Sequence, residues 1–295
     1  MFNLKIQNIK RTLTEKINDL NLSLKEFRPY QLASHAMNGL TSNQGYSVQK
    51  NLAYGLKSRQ RLDLYIADRT HSKALILFVH GGAWSSGDKS AYKFIGEAFT
   101  RYGYDVAILN YHLAPEFIFP SFVDDLAEAL NFLEQKQSKL GISTEKIALM
   151  GHSAGAFNIA SLLYHPNTLH LNIKQNIKCF IGVAGPYHFD YKNDPLAKHA
   201  FDQTIPFEQV MPYYFVENNQ IQHYLFVAEN DQIVKHSNSE DLCKQLKAQG
   251  NHCEVIHIPA TGHITIMGSV SSLFSRFFQT RKEMLRALDQ SFNTQ

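Results

Sequence analysis

The amino-acid sequence predicts an α/β fold: a mostly parallel central sheet with helices on both faces and a small helical cap. Two observations carry this. Short apolar runs recur from about residue 60 onward, and stretches with helical periodicity separate them. Size agrees with a single large domain of that class. The chain has 295 residues, 44% of them hydrophobic, enough to bury a substantial core.

Taken in order, the segment RLDLYIA (61–67) alternates polar and apolar residues, as an edge or half-buried strand does. ALILFVHG (74–81) is continuously apolar, as a central strand buried on both faces must be. DVAILNY (105–111), IALMGHS (147–153), CFIGVAG (179–185), YLFVAEN (224–230) and CEVIHIP (253–259) repeat that form. Helical patterns over 90–102, 121–139, 154–164, 238–249 and 268–287 fill the gaps.

Two segments stand outside the alternation. Residues 1–45 read as an N-terminal helical segment, a candidate cap, ahead of the main α/β domain over 46–295. Residues 186–221 carry Pro186, Pro195, Pro206 and Pro212 among aromatics and histidines, and read as a cap-like insertion.

Composition excludes several classes of function. The 29 basic and 26 acidic residues leave a net charge of +3 without a basic cluster, so no nucleic-acid footprint is present. No run of 18 apolar residues exists to span a membrane. The first 20 residues lack the apolar core of a secretory signal, so the expected address is cytoplasmic. Cys179, Cys243 and Cys253 are too few for a disulfide framework. A Cys243–Cys253 bridge is the alternative to the favoured reading of three buried thiols. No cysteine or histidine spacing suggests a metal.

The informative stretch is IALMGHSAGAFNIASLLY. It sets Ser153 between a buried strand and a helix, inside Gly151-His152-Ser153-Ala154-Gly155. A serine in such a turn is held in a strained backbone, and glycines two positions to either side remove the clash with neighbouring elements. The following helix points its N-terminus toward developing negative charge. The bland reading is a serine capping a helix.

A serine hydroxyl attacks only with a base to take its proton and an acid to orient that base. HYLFVAENDQIV supplies Glu229 and Asp231 after an apolar run, with Asp231 the better placed because it lies in the loop. Among 14 histidines, His257 falls within a strand, and His152 is expected to line the pocket beside the serine. His263 follows a strand through Ala-Thr-Gly at the same edge of the sheet and is the expected base. An oxyanion hole is expected from the backbone N–H groups of Gly82 and Ala83, in His80-Gly81-Gly82-Ala83-Trp84, and of Ala154, with Gly81 a substitute donor.

HGGAW, NYHLAPE (110–116), GHSAG, ENDQIV and TGH occur here in the order of the α/β-hydrolase superfamily, and the chain resembles its carboxylesterase/lipase branch over about residues 45–285. LAYGLKSRQRLDLYIA (52–67) is similar to the opening strands of bacterial esterases of this group. Positions that carry Asp, Gly and Arg in hormone-sensitive-lipase-like members carry His152, Ala156 and His112 here. HGGAW and GHSAG stand closer to kynurenine-formamidase and feruloyl-esterase-like members. The resemblance implies an α/β-hydrolase fold, with Trp84 and residues 186–221 shaping the substrate pocket.

The expected activity is that of a carboxylesterase acting through Ser153, Asp231 and His263 on a small-molecule ester. It needs no cofactor and no metal, and the oligomeric state is left open. Arylformamidase activity on N-formylkynurenine is the nearest alternative. A non-catalytic small-molecule binder on the same scaffold is the reading from a different class.

Overall fold

Residues 34, 37–69, 74–169 and 171–293 are described by the structure, a computed structural model. Among them eight strands form one sheet: β1 (Tyr46–Ala53), β2 (Arg61–Ala67), β3 (Ala74–Val79), β4 (Asp105–Leu109), β5 (Lys146–His152), β6 (Ile177–Val183), β7 (Gln222–Ala228) and β8 (Cys253–Ile258). Their order is β1-β2-β4-β3-β5-β6-β7-β8. Strand β2 runs antiparallel to both neighbours, and the pairs from β4 through β8 are parallel. Every residue of β3 and β4 is buried, the condition that selects continuous apolar runs.

Alternation along β3 builds two cores. Leu75, Leu77 and Val79 point to one face, Ile76 and Phe78 to the other. The first face is covered by helices α2 (Ser121–Leu140), α3 (Ala154–Tyr164) and α4 (Ser237–Ala248), through Phe122, Leu126, Phe157 and Leu242. The second is covered by α1 (Lys93–Thr100), the short α5 (Thr265–Gly268) and α6 (Thr280–Asn293), through Phe94, Ala98, Met267 and Leu288. Helix α2 stops at Gly141, whose φ of 73° closes it in the left-handed conformation.

The structure differs from the sequence reading in several places. Strand β1 has a mostly solvent-facing pattern and a bulge between Gln49 and Leu52, so no apolar run announces it. The helix expected over 268–287 begins only at Thr280. Serines crowd the stretch before it and hydrogen-bond locally instead: Ser269 Oγ donates to the Ile266 carbonyl at 2.7 Å. Residues 186–221 hold three single 3₁₀ turns, at Tyr191–Asn193, Phe207–Gln209 and Pro212–Phe215, where prolines deny longer helices their N–H donors. Of the helical segment expected over 1–45, Met37–Leu40 is helical, and residues 1–33, 35 and 36 lie outside the described residues.

Cys243 on α4 and Cys253 at the start of β8 form a disulfide, with Cα atoms 5.5 Å apart, which corrects the reading of three thiols. The tight return at Gly250, φ 81°, brings the end of α4 back beside β8. Cys179 is a buried free thiol.

Three buried histidines stay neutral. Burial pushes His80, after β3, down to about 4, and His223, in β7, down to about 4. Burial and the neighbouring His263 push His152, at the end of β5, down to about 3. Unfolding returns each ring to about 6.5. The unfolded chain therefore binds more protons between about pH 4 and 6.5. Stability from the neutral rings is complete above that window and lost as pH falls through it.

Two outcomes follow from these placements. In urea titrations the unfolding midpoint falls between pH 6.5 and pH 4.5, with about three protons taken up through these rings at pH 5. A midpoint that is flat over that range contradicts the burial of these rings. A thiol assay on protein denatured without reductant finds one thiol per chain, and three after reduction. Three thiols before reduction would remove the bridge.

Candidate active site

Strand β5 passes into α3 through one residue. Ser153 stands between them at φ 52° and ψ −122°, a backbone rarely adopted by an L residue. The close fit around it explains the flanking glycines. A Cβ on Gly155 would stand 2.2 Å from the Val79 carbonyl oxygen, and one on Gly151 would stand 2.7 Å from the Ala156 nitrogen. The Ser153 N–H donates to the Val183 carbonyl of β6 at 2.8 Å, fixing the turn to the next strand.

The loops after β7 and β8 are knitted together beside this turn. The Asn230 N–H donates to the Thr261 carbonyl at 2.8 Å, and the Ala260 N–H to the Glu229 carboxylate at 3.1 Å. That contact occupies Glu229. Asp231 accepts the backbone N–H groups of Ile233 and Val234 on Oδ1, each at 2.9 Å. Its Oδ2 lies 2.8 Å from His263 Nδ1, and both side chains are almost wholly buried. Burial pushes the Asp231 carboxyl up. The hydrogen bond and charge of His263, with the two backbone donors, outweigh that and hold it below its ordinary value. An ionised Asp231 takes the Nδ1–H, which leaves Nε2 to accept the Ser153 hydroxyl proton at 2.9 Å. Asp231, His263 and Ser153 thus form one hydrogen-bonded run, although 110 residues separate the serine from the histidine.

The loop after β3 closes one side. Gly82, Ala83 and Trp84 all have positive φ, at 132°, 48° and 56°. A Cβ on Gly81 would stand 3.0 Å from the Ser153 Cβ, so this loop lies directly against the serine. Among the turn and loop backbone hydrogen bonds of the described residues, none uses the N–H of Gly82, Ala83 or Ala154.

A cavity of about 570 Å³ opens at Ser153. Ala83 and Trp84 line it with Pro186, Phe189, Ile233 and Val234, and a more polar side holds His188, Asp190, Lys235 and Asp241. The 186–221 segment thus contributes to the wall. His152, expected to line the pocket, does not. Its ring is buried behind the site, where Nε2 donates to the His263 carbonyl at 2.9 Å. The correction has a geometric cause: the turn at Ser153 sends the preceding side chain toward the β8 loop. His188 and Asp241 were not singled out from the sequence. Their only signal was the cluster of polar residues in the proline-rich insertion and one turn of an otherwise amphipathic helix.

Among the described residues, no group of three or more His, Cys, Asp or Glu is placed to hold a metal. No described helix is long and apolar enough to cross a membrane.

Comparison with known proteins identifies the scaffold. The BD-FAE family matches residues 62–246, more than half of the chain. The kynurenine formamidase of Drosophila melanogaster is 32% identical over 149 residues, 50% of this chain and 48% of that protein. An isoprenylcysteine alpha-carbonyl methylesterase of Arabidopsis thaliana is 31% identical over 148 residues, 48% of this chain and 35% of that protein. The chain thus spans about half the length, or less, of these curated relatives. Esterase B of Lactobacillus rhamnosis superposes with a TM-score of 0.76 at 17% identity, covering 95% of this chain and 96% of that one, a likeness of fold. On its sheet order, its sequence match and this superposition, the chain belongs to the BD-FAE family of the α/β-hydrolase superfamily.

Proposed function

We propose that the protein is a serine hydrolase that cleaves small to medium carboxylic esters through an acyl-enzyme. One observation carries the reading: Ser153 Oγ, His263 Nε2 and Nδ1, and Asp231 Oδ2 are joined by hydrogen bonds of 2.9 and 2.8 Å. Ser153 attacks the ester carbonyl as its proton passes to His263 Nε2. Asp231 keeps the ring in the productive tautomer and stabilises the imidazolium. The backbone N–H groups of Gly82, Ala83 and Ala154 receive the charge on the carbonyl oxygen. The alcohol departs with the proton from His263. Water, deprotonated by the same nitrogen, then attacks the Ser153 ester, and the acid leaves. No step requires a metal or a cofactor.

A second reading shares the machinery and changes the leaving group. The name of the Drosophila relative, kynurenine formamidase, favours a formamide. Its cleavage would use the same attack on the formyl carbon, with His263 protonating a departing amine. A non-catalytic binder would need neither a neutral acceptor at His263 Nε2 nor a serine held at a strained turn.

The cytoplasmic address expected from the sequence is open to the thiol count given above. A Cys243–Cys253 bridge belongs in an oxidising compartment, and three thiols in freshly isolated protein would fit the cytoplasm.

Turnover of p-nitrophenyl esters from acetate to palmitate, with N-formylkynurenine alongside, tests the reading. Esters of short to medium chain are cleaved fastest, and faster formamide turnover would transfer the assignment to the second reading. Ser153→Ala and His263→Ala each lower kcat by about four orders of magnitude or more, and Asp231→Asn by a comparable or smaller factor. Full activity in His263→Ala would overturn the base assignment.

A further inference from the structure

The cavity beside Ser153 is bounded on its apolar side by two stacked rings, Trp84 and Phe189, with centroids 6.3 Å apart and planes 12° apart. His188, the residue before Phe189, is held by two elements, helix α4 and the 3₁₀ turn Pro212–Phe215. Its Nδ1 meets Asp241 Oδ2 on α4 at 3.1 Å, and its Nε2 meets the Tyr214 hydroxyl at 3.0 Å. Its ring lies flat on Tyr213, at 4.0 Å and 10°. Its backbone N–H donates to Asn238 Oδ1, also on α4, at 2.9 Å.

This set fixes more than a contact. With the Asp241 carboxylate taking the Nδ1–H, Nε2 accepts from the Tyr214 hydroxyl, so both ring nitrogens are directed. Stacking on Tyr213 fixes the remaining tilt. An apolar side chain at 188 would pack, but it would not set direction. Because 188 and 189 are adjacent, holding His188 also holds Phe189, and with it the stacking on Trp84. Other ties bind the same insertion to the body, among them the Phe119 N–H to the Ala200 carbonyl at 2.9 Å, His165 to the Gln209 carbonyl at 3.0 Å and the Asn219 N–H to Asn251 Oδ1 at 2.8 Å. They lie farther along the insertion and act on other residues.

We infer that His188 is a positioning residue: by latching residues 186–221 to α4 it fixes Phe189 against Trp84, sets the apolar wall that the two rings form, and so sorts esters by the bulk of the group that lies against that wall. The kinetic part rests on the hydrolase reading above. The structural part does not, because Trp84 is the single tryptophan of the chain and its fluorescence reports its packing against Phe189 directly.

The experiment compares wild type with His188→Gln, Asp241→Asn and Asp241→Glu by acrylamide quenching of Trp84, by Tm, and by KM for p-nitrophenyl acetate and hexanoate. Trp84 is 3% exposed, so wild-type quenching is weak. In His188→Gln and Asp241→Asn the quenching constant roughly doubles as the wall loosens, while Tm stays within about 3 °C. In the same two variants the ratio of the two KM values shifts about fivefold. Asp241→Glu, which keeps a carboxylate, recovers part of both changes. If His188→Gln fails to fold, Tyr214→Phe, at a 40% exposed residue, moves both readouts the same way by less. An unchanged quenching constant, or an unchanged KM ratio beside normal turnover, overturns the inference. If wild type shows no Ser153-dependent turnover, the hydrolase reading fails while the quenching result still decides the latch.

Discussion

The site depends on one close approach of backbone to backbone, that of helix α3 to the end of strand β3. Helix α3 begins so near the end of β3 that residue 155 has no room for a side chain against the Val79 carbonyl oxygen. That contact lets the chain turn from β5 into α3 through a single residue. It confines Ser153 to a backbone conformation of positive φ and lifts its hydroxyl off the sheet. A looser turn would let the serine relax into an ordinary helix cap, with its oxygen directed at the helix backbone instead.

The parallel sheet does the rest. Strands β3, β5, β7 and β8 all end at one edge, so the loops that follow them meet there however far apart they lie in sequence. The β3 loop brings its glycines against Ser153, and the β7 and β8 loops bring Asp231 and His263. Hydrogen bonds between these last two loops hold acid and imidazole as one unit, and His152 supports it from behind through the His263 carbonyl. A neutral His152 suits that position, since a charged ring there would oppose an imidazolium at His263.

Much of this was legible in the residues, for a physical reason. A strand buried on both faces must be apolar, so β3 begins where its apolar run begins, and α3 spans the same residues as its pattern, 154–164. The alternation of β2 marked its span but not its place: it reads as an edge or half-buried strand, whereas β2 lies between β1 and β4 and is largely buried, with Asp63 paired to Lys89. Ser153, Asp231 and His263 stood out because each follows such a strand. What stayed hidden lacks a local signature. The edge strand β1 faces solvent, and the serine-rich stretch before Thr280 imitates a helix while its side chains satisfy the backbone. Neighbours on a tight turn diverge in ways that spacing does not encode, so His152 was expected in the pocket rather than behind it. His188 and Asp241 meet across 53 residues, one in an insertion without periodicity and the other on α4, whose pattern does not say what its polar face meets.

On the proposed reading, one hydroxyl of the chain, that of Ser153, is a nucleophile. Labelling with a fluorophosphonate, followed by peptide mass spectrometry, tests it most directly. A single adduct is expected, on the peptide containing Ser153, absent from Ser153→Ala and strongly slowed in His263→Ala. Labelling at another residue, or labelling that survives Ser153→Ala, would contradict it.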